Sequence, residues 1–204
     1  MRILAIDTSG EACSVALIED ERVIDACHET IGRGHAERLV PMISRLNDHG
    51  RSDEILVSLG PGSFTGVRIG LAAARALGIA WKVRVSGYPT LALIAAMAQA
   101  EISGPVDVCM NGGHGEWFVQ SFDIDGLPIS DIMSLSPEQA VSALSAPAVA
   151  GNRASEFGEL AQRHVRAVEI VADARFVKGI PASLKTNVLS PIYGRAPDAK
   201  APAR

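Results

Sequence analysis

Residues 60–77 read GPGSFTGVRIGLAAARAL, and this stretch is the most informative part of the chain. Its first seven residues hold three glycines and a proline between a predicted strand, Glu54–Leu59, and a predicted helix, Thr65–Lys82. Such a turn can present backbone N–H groups to an anion. Its glycine spacing matches neither GxxxxGK[ST] nor GxGxxG. The turn therefore predicts either an anion contact or a tight connection with a packing role.

Small residues recur at every fourth position of the predicted helix, at Gly66, Gly70, Ala74 and Gly78. A glycine inside a helix costs about 1 kcal/mol relative to alanine. A stripe of such residues allows another element to approach closely, below the usual ~8–10 Å between helix axes. Two interpretations follow from the residues: packing on the protein's own sheet, or contact with a helix of a partner subunit.

Short apolar runs separated by turns surround this stretch and predict a mixed α/β half. The predicted elements of this half are strands at Arg2–Ile6, Ala12–Ile18, Arg22–Glu29, Glu54–Leu59 and Val83–Ser86, and helices at Ala36–Asn47, Thr65–Lys82 and Pro89–Ala100.

The same order of elements restarts after a break at Ser103-Gly104-Pro105. The predicted elements of this half are strands at Val106–Met110, Glu116–Asp123, Leu127–Leu135, Ala148–Ala150 and Val165–Val171, and helices at Ser136–Leu144, Ala154–His164 and Asp173–Lys178.

A duplicated βββαβα unit is the plan of the actin-like ATPase (ribonuclease H-like) fold. It predicts an α/β protein with an N-terminal lobe at 1–103 and a C-terminal lobe with a tail at 104–204. The alternative is two unrelated α/β lobes.

Three stretches carry a resemblance to a known family: MRILAIDTSGEACSVAL at 1–17, HAERLVPMI at 35–43 and the stretch at 60–77. They resemble the TsaB family, which supports threonylcarbamoylation of adenosine next to the anticodon of tRNA. Some members have been called glycoprotease-like or peptidase homologues. The resemblance is densest over residues 1–95 and weaker through 106–123 and PIYGRAPDAK at 191–200.

The resemblance implies a pseudoenzyme that acts as scaffold and activator of the catalytic subunit TsaD, joined in the complex by the ATPase TsaE. It also implies homodimers formed through the helices of the first lobe. The interface residues expected on the two helices are His35, Leu39, Met42, Ile43, Gly66, Ile69, Gly70, Ala73, Ala74 and Leu77.

The alternative function is a degenerate kinase-like ATPase or nucleotide-binding protein of the same fold. Its candidate nucleotide or anion contacts are Asp7, Thr8, Ser9, Gly60, Gly62, Ser63 and Thr65. Asn111-Gly112-Gly113 stands where many members have Asp-Ala-Arg, so the second lobe lacks the matching acid. We therefore expect no required cofactor and at most weak ATP or ADP binding.

The sequence favours neither metal nor peptidase chemistry. No H-x-x-x-H pair occurs, and His35 has Leu39 four residues later, so two imidazoles do not share a helix face. Ser63 lies on a strand-to-helix turn, but G-x-S-x-G is not matched. We expect no bound metal and no catalytic residue.

Composition limits the partners. The net charge of −4 argues against holding nucleic acid by bulk electrostatics, so tRNA is expected to be contacted only indirectly.

Three widely spaced cysteines without CxxC suit a reducing compartment. No signal peptide or bilayer-spanning run is apparent, so a cytoplasmic protein without membrane contact is expected. The basic residues of the C-terminal part are Arg153, Arg163, Arg166, Arg175, Lys178, Lys185, Arg195, Lys200 and Arg204.

Overall fold

The computed structural model describes residues 1–195, which form two five-stranded mixed sheets. The elements of the first half are β1 (Arg2–Asp7), β2 (Ala12–Glu19), β3 (Arg22–Thr30), α1 (His35–Arg45), β4 (Glu54–Ser58), α2 (Phe64–Trp81), β5 (Arg84–Tyr88) and α3 (Thr90–Gln99). The strand order is β3-β2-β1-β4-β5. The strands from β1 to β3 pair antiparallel, and β4 and β5 add in parallel to β1.

The second half repeats this pattern. Its elements are β6 (Val106–Gly113), β7 (Glu116–Phe122), β8 (Met133–Leu135), α4 (Pro137–Ala143), β9 (Ala148–Ala150), α5 (Ala154–Leu160), β10 (Arg166–Val168) and 3₁₀ helices at Ala174–Gly179 and Ala182–Leu184. The order β10-β9-β6-β7-β8, with β9 and β10 parallel to β6, is that of the first sheet. The predicted duplicated α/β fold is confirmed.

The core has three parts because each sheet is covered on both faces. The central part lies between the sheets, where α3 and the 3₁₀ helix Ala174–Gly179 pack against β1 and β6. Helices α1 and α2 cover the outer face of the first sheet, and α4 and α5 cover that of the second. Helix α3 and the 3₁₀ helix Ala174–Gly179 therefore fill the centre, and α1, α2, α4 and α5 lie outside.

The predicted strand Leu127–Leu135 is wrong over its first part, since β8 contains only Met133–Leu135. Residues near Leu127 form a turn instead: the Leu127 N–H donates to Asp123 Oδ1 over 2.8 Å, and the Asp123 N–H donates to the Leu127 carbonyl over 2.9 Å. Pro128, which follows, has no N–H for a ladder.

Two other predicted elements are longer than the observed ones. Strand β10 has three residues instead of Val165–Val171 because its neighbour β9 offers only three residues for pairing. Helix α5 stops at Leu160 instead of His164. Beyond it, the Arg163 side chain donates to the carbonyls of Leu144 and Ala146, over 3.2 and 2.8 Å.

Residues 186–195, which we term the C-terminal strap, return to the first lobe. The backbones of Thr186 and Gly87 exchange two hydrogen bonds of 2.7 and 3.0 Å. The Ile192 N–H donates to the Leu59 carbonyl over 2.7 Å, and Leu189 and Ile192 pack on the outer core of the first lobe. The strap thus packs on the first lobe, and the predicted division into lobes at 1–103 and 104–204, the latter with a tail, stays a prediction; residues 196–204 lie outside the described part.

Candidate functional site

The glycine-rich turn before α2 lies directly on the loop that follows β1. The Ser63 N–H donates to the Ser9 carbonyl over 2.7 Å, and a Cβ at Gly62 would overlap that same carbonyl. Ser63 Oγ accepts the Gly66 N–H over 3.2 Å and so caps the helix. Among residues 1–195, neither a histidine nor an acidic side chain is hydrogen-bonded to Ser63. The turn is a tight connection between two backbones.

Asp7, the acid at the end of β1, is only 1% exposed and its carboxylate is already occupied. Oδ1 accepts from the N–H and hydroxyl of Ser9, over 2.9 and 2.7 Å. Oδ2 accepts from the Tyr88 hydroxyl over 3.3 Å. Burial raises the pKa of Asp7, although the hydrogen bonds from Ser9 and Tyr88 oppose the shift.

The small-residue stripe of α2 packs inside the chain. A Cβ at Gly66 would overlap the Thr8 carbonyl, and one at Gly70 would lie 2.5 Å from Thr8 Oγ1. A Cβ at Gly78 would overlap the Val85 side chain. The glycines thus allow α2 to approach its own sheet, so the interpretation of this stripe as a subunit contact is wrong.

Most of the predicted interface residues are likewise buried, and their role in a subunit contact stays a prediction. The residues already buried within the chain are His35, Leu39, Met42, Ile43, Gly66, Gly70 and Ala74. His35 Nε2 lies 3.2 Å from the Ala12 carbonyl oxygen, so this side chain joins α1 to β2. Only Ile69, Ala73 and Leu77 are half-buried.

Part of the exposed side of α2, towards its C-terminal end, is apolar as well. The outer helix face, as we call it, consists of Val40 and Pro41 of α1 with Ala72, Ala76, Ile79 and Ala80 of α2. Ile79 is 80% exposed and Val40 60%. An α-helix that is apolar around most of its surface is typically covered on all sides. Sequence periodicity missed this face because it distinguishes helix faces by polarity, and α2 carries apolar residues on two of them.

A cleft of about 850 Å³ separates the hairpin of β6 and β7 from the first lobe. Of the predicted nucleotide contacts, the cleft is lined by Ser9, Gly62 and Ser63. The lining does not include Asp7, Thr8, Gly60 or Thr65. Thr8 Oγ1 instead donates to the Gly66 carbonyl over 2.7 Å. The structure therefore brings together only part of the predicted set.

Asparagines bridge the two lobes at this cleft. The Asn111 N–H donates to Asn152 Oδ1 over 2.9 Å, and Asn152 Nδ2 donates to Glu11 Oε1 over 3.3 Å. Asn152 and Glu11 are separated by 141 residues in the chain, and no local pattern pairs them.

Aromatic and cationic side chains form one end of the cleft, and sequence reasoning missed them. The guanidinium carbon of Arg68 lies 3.3 Å from the centroid of the Phe64 ring. Arg68 Nη2 donates to the Tyr193 hydroxyl over 2.9 Å. Phe64 and Arg68 are one helical turn apart, which is a usable sequence signal, but Tyr193 belongs to the C-terminal strap.

Most of the basic residues of the C-terminal part are engaged with the chain itself. Carboxylate partners are found for Arg153, Arg175, Lys178 and Arg195. Arg163 donates to two carbonyls, and burial lowers the pKa of Lys185, with nearby Lys178 adding to the shift. Arg166 is exposed. Lys200 and Arg204 lie outside the described residues.

Within residues 1–195, no three His, Cys, Asp or Glu side chains are placed so that they could hold a metal ion. Burial raises the pKa of Cys13 to about 12. None of the helices described has the length and apolarity needed to cross a bilayer.

Comparison with known proteins adds to this geometry. A family model described as "TsaD: tRNA N6-adenosine threonylcarbamoyltransferase" matches residues 27–190. The chain is 44% identical over 100 residues to the tRNA threonylcarbamoyladenosine biosynthesis protein TsaB of Escherichia coli (strain K12), covering 47% of this chain and 43% of that protein. It is 37% identical over 101 residues to TsaB of Bacillus subtilis (strain 168), covering 47% and 44%.

The chain belongs to the TsaB family. The chain spans less than half of the length of either relative in these alignments. Among solved structures, YeaZ from Pseudomonas aeruginosa is similar over 94% of this chain and 99% of its own, with 27% identity and a TM-score of 0.77. The resemblance inferred from the sequence is thus confirmed, and it extends beyond the first lobe to the whole two-lobed fold.

Proposed function

We propose that this TsaB-family chain is a non-catalytic scaffold and activator of the TsaD subunit, acting in threonylcarbamoylation of adenosine next to the anticodon of tRNA. In this proposal TsaE joins the same cytoplasmic complex, the chain also forms a homodimer, and tRNA is contacted only indirectly. The names of its relatives and the matching family model support the pathway.

The observation that carries the scaffold role is the outer helix face. Its Ile79 and Val40 side chains are among the most exposed apolar groups of the described chain. Its α2 part consists of the exposed residues Ala72, Ala76, Ile79 and Ala80, with the exposed Arg75 beside them. An apolar surface of this kind favours a protein partner. We therefore place the contact with TsaD, or with a second copy, on this face instead of on the buried glycine stripe.

The non-catalytic role rests on the first-strand acids. A kinase-like enzyme of this fold would need carboxylates that reach the cleft between its lobes. Asp7 is buried under Ser9 and Tyr88, and the corresponding position of the second lobe is Asn111, whose N–H is bonded to Asn152. These arrangements support a pseudoenzyme that requires no cofactor and binds ATP or ADP weakly at most.

Activation then follows from binding one state of TsaD more tightly than another. A subunit shifts its partner's conformational equilibrium only by the difference in its affinity for the two states. The engaged cations of the C-terminal part support an indirect role toward tRNA, because Arg153, Arg175 and Lys178 already have carboxylate partners.

The test is co-purification with TsaD and a tRNA-modification assay containing TsaD and TsaE, with and without this chain. Ile79→Asp should abolish TsaD binding and the stimulation of modification without lowering the melting temperature. Ile129→Asp is the matched control, because Ile129 is 65% exposed and belongs to the other lobe.

Modification at full rate without this chain would overturn the activator role. Equal loss of TsaD binding in the two aspartate variants, or binding that survives Ile79→Asp, would overturn the assignment of the outer helix face.

A further inference from the structure

Arg68 is held in one place at the end of the cleft by two aromatic rings. Its guanidinium lies over the Phe64 ring, and its Nη2 is hydrogen-bonded to the Tyr193 hydroxyl. The Phe64 and Tyr193 centroids are 6.0 Å apart. A guanidinium has five N–H donors, and this contact uses one of them. The remaining donors are therefore available on a side chain whose rotation is already restricted.

No carboxylate of residues 1–195 neutralises Arg68, since none lies within ion-pair distance of it. Arg195, the other arginine lining the cleft, is 3.2 Å from Glu116 Oε2. Glu116 also accepts from the Ser134 hydroxyl over 2.6 Å. The charge of Arg68 is thus not engaged in an ion pair within residues 1–195, although the Glu11 carboxylate also lines the cleft.

Several apolar side chains line the cleft together with Arg68. Met110 and Phe118 are buried side chains of β6 and β7 that line it, and Val67 and Ile192 line it from the first lobe. Its volume of about 850 Å³ lies within the range of small-molecule sites. Apolar side chains together with the anchored Arg68 guanidinium form a lining expected for a ligand with an anionic and an apolar part.

We propose that this cleft binds a small oxyanion that carries an apolar or aromatic group, with its carboxylate or phosphate on Arg68 and its apolar part on Met110 and Phe118. Planar oxyanions match the guanidinium because two parallel N–H···O bonds can form. Because Tyr193 belongs to the C-terminal strap, the site is complete only when the strap is docked. The proposal does not depend on the scaffold role.

Glu11 limits the negative charge that a ligand of this cleft can carry. It is the carboxylate that lines the cleft among the residues described, and its Oε1 accepts from Asn152 Nδ2. A negative charge there opposes an anion in the same cleft. Singly or doubly charged ligands are therefore favoured over polyphosphates, and Glu11→Gln should tighten anion binding about twofold to fivefold.

Methionine methyl NMR provides a direct readout. The chain has five methionines, and Met110 is the one that lines the cleft. Titration with phenyl phosphate should shift the Met110 methyl signal and leave those of Met42 and Met97 in place. Phenyl phosphate should bind about tenfold more tightly than inorganic phosphate, because its ring removes apolar surface from water. Benzoate distinguishes a carboxylate ligand from a phosphate, and phenol tests the ring alone.

Arg68→Gln should weaken phenyl phosphate binding at least tenfold, and Tyr193→Phe should weaken it to a smaller extent. Arg75→Gln is the matched control: Arg75 also lies on α2 and donates to the strap, at the Leu189 carbonyl over 2.6 Å, but it does not line the cleft. The proposal is overturned if Arg75→Gln weakens binding as much as Arg68→Gln, if phenol binds as tightly as phenyl phosphate, or if neither anion shifts Met110.

Discussion

Thr8 and Gly66 are in direct contact through their backbones and through one side chain. The Thr8 hydroxyl donates to the Gly66 carbonyl over 2.7 Å, and the Thr8 carbonyl occupies the space where a Cβ of residue 66 would lie. The glycine is therefore required for the first turn of α2 to reach β1.

Gly66→Ala should lower the free energy of unfolding by about 3 kcal/mol, because backbone must move to make room for the methyl group. Ala72→Ser, on the exposed side of the same helix, should change it by no more than about 0.5 kcal/mol. Chemical denaturation measures both values. Equal stability of Gly66→Ala and the unmodified chain would contradict the packing described for α2.

The buried Asp7 predicts a pH dependence of stability. Burial raises the pKa of Asp7 in the fold, so the protonated form is preferred there. The stability contribution of this group is thus fully present below its unfolded pKa, near the ordinary value of 3.8, and is lost as the pH rises through the raised pKa. Asp7→Asn should match or exceed the unmodified chain in stability at pH 7. Melting temperatures of both chains between pH 4 and pH 8 check this, and a large loss for Asp7→Asn at pH 7 would contradict it.

Asp173 predicts a pH dependence of stability that is opposite in sign to that of Asp7. Burial works to raise the pKa of Asp173, but hydrogen bonds from Arg175 and electrostatic attraction to His28 and Arg175 outweigh that effect, and the pKa is lowered. The contribution of Asp173 to stability is therefore present above its pKa in the unfolded chain, and it is lost as the pH falls through its lower pKa in the fold.

Asp173→Ala should destabilise the fold by about 2–4 kcal/mol at pH 7, since Ser14 and Arg175 lose their buried acceptor. Glu156→Ala removes the exposed partner of Arg153 and should cost at most about 1 kcal/mol. Denaturation at pH 7 compares the two variants; similar losses in both would show that the burial of Asp173 has no energetic weight.

The C-terminal strap should contribute to stability although it contains neither helix nor strand. Ile192→Asp places a charge on the outer core of the first lobe and should lower the melting temperature by at least about 5 °C. Val188→Asp, at a position of the same strap that is 67% exposed, should have little effect. A melting temperature unchanged in Ile192→Asp would mean that the strap is not docked in solution.

The order of elements was predictable because period-2 and period-3.6 patterns separated by turn residues are local properties. The contacts of the small-residue stripe were not predictable in this way. Periodicity shows that Gly66 and Gly70 share a face of α2, but it does not show whether Thr8 or another subunit covers that face. Of the predicted nucleotide or anion contacts, only Ser9, Gly62 and Ser63 line the cleft. Arg68 and Tyr193 meet across 125 residues, and that pairing depends on the path of the strap over the finished fold.

The position of the strap also constrains the synthesis of the protein. A ribosome makes the first lobe's strands and helices early, but Leu189 and Ile192, which complete that lobe's outer core, are made only after the elements of the second lobe. N-terminal units commonly fold while the rest of a chain is being made. Here the nascent first lobe lacks the strap's N–H partners for the Leu59 and Gly87 carbonyls until the second lobe has been translated.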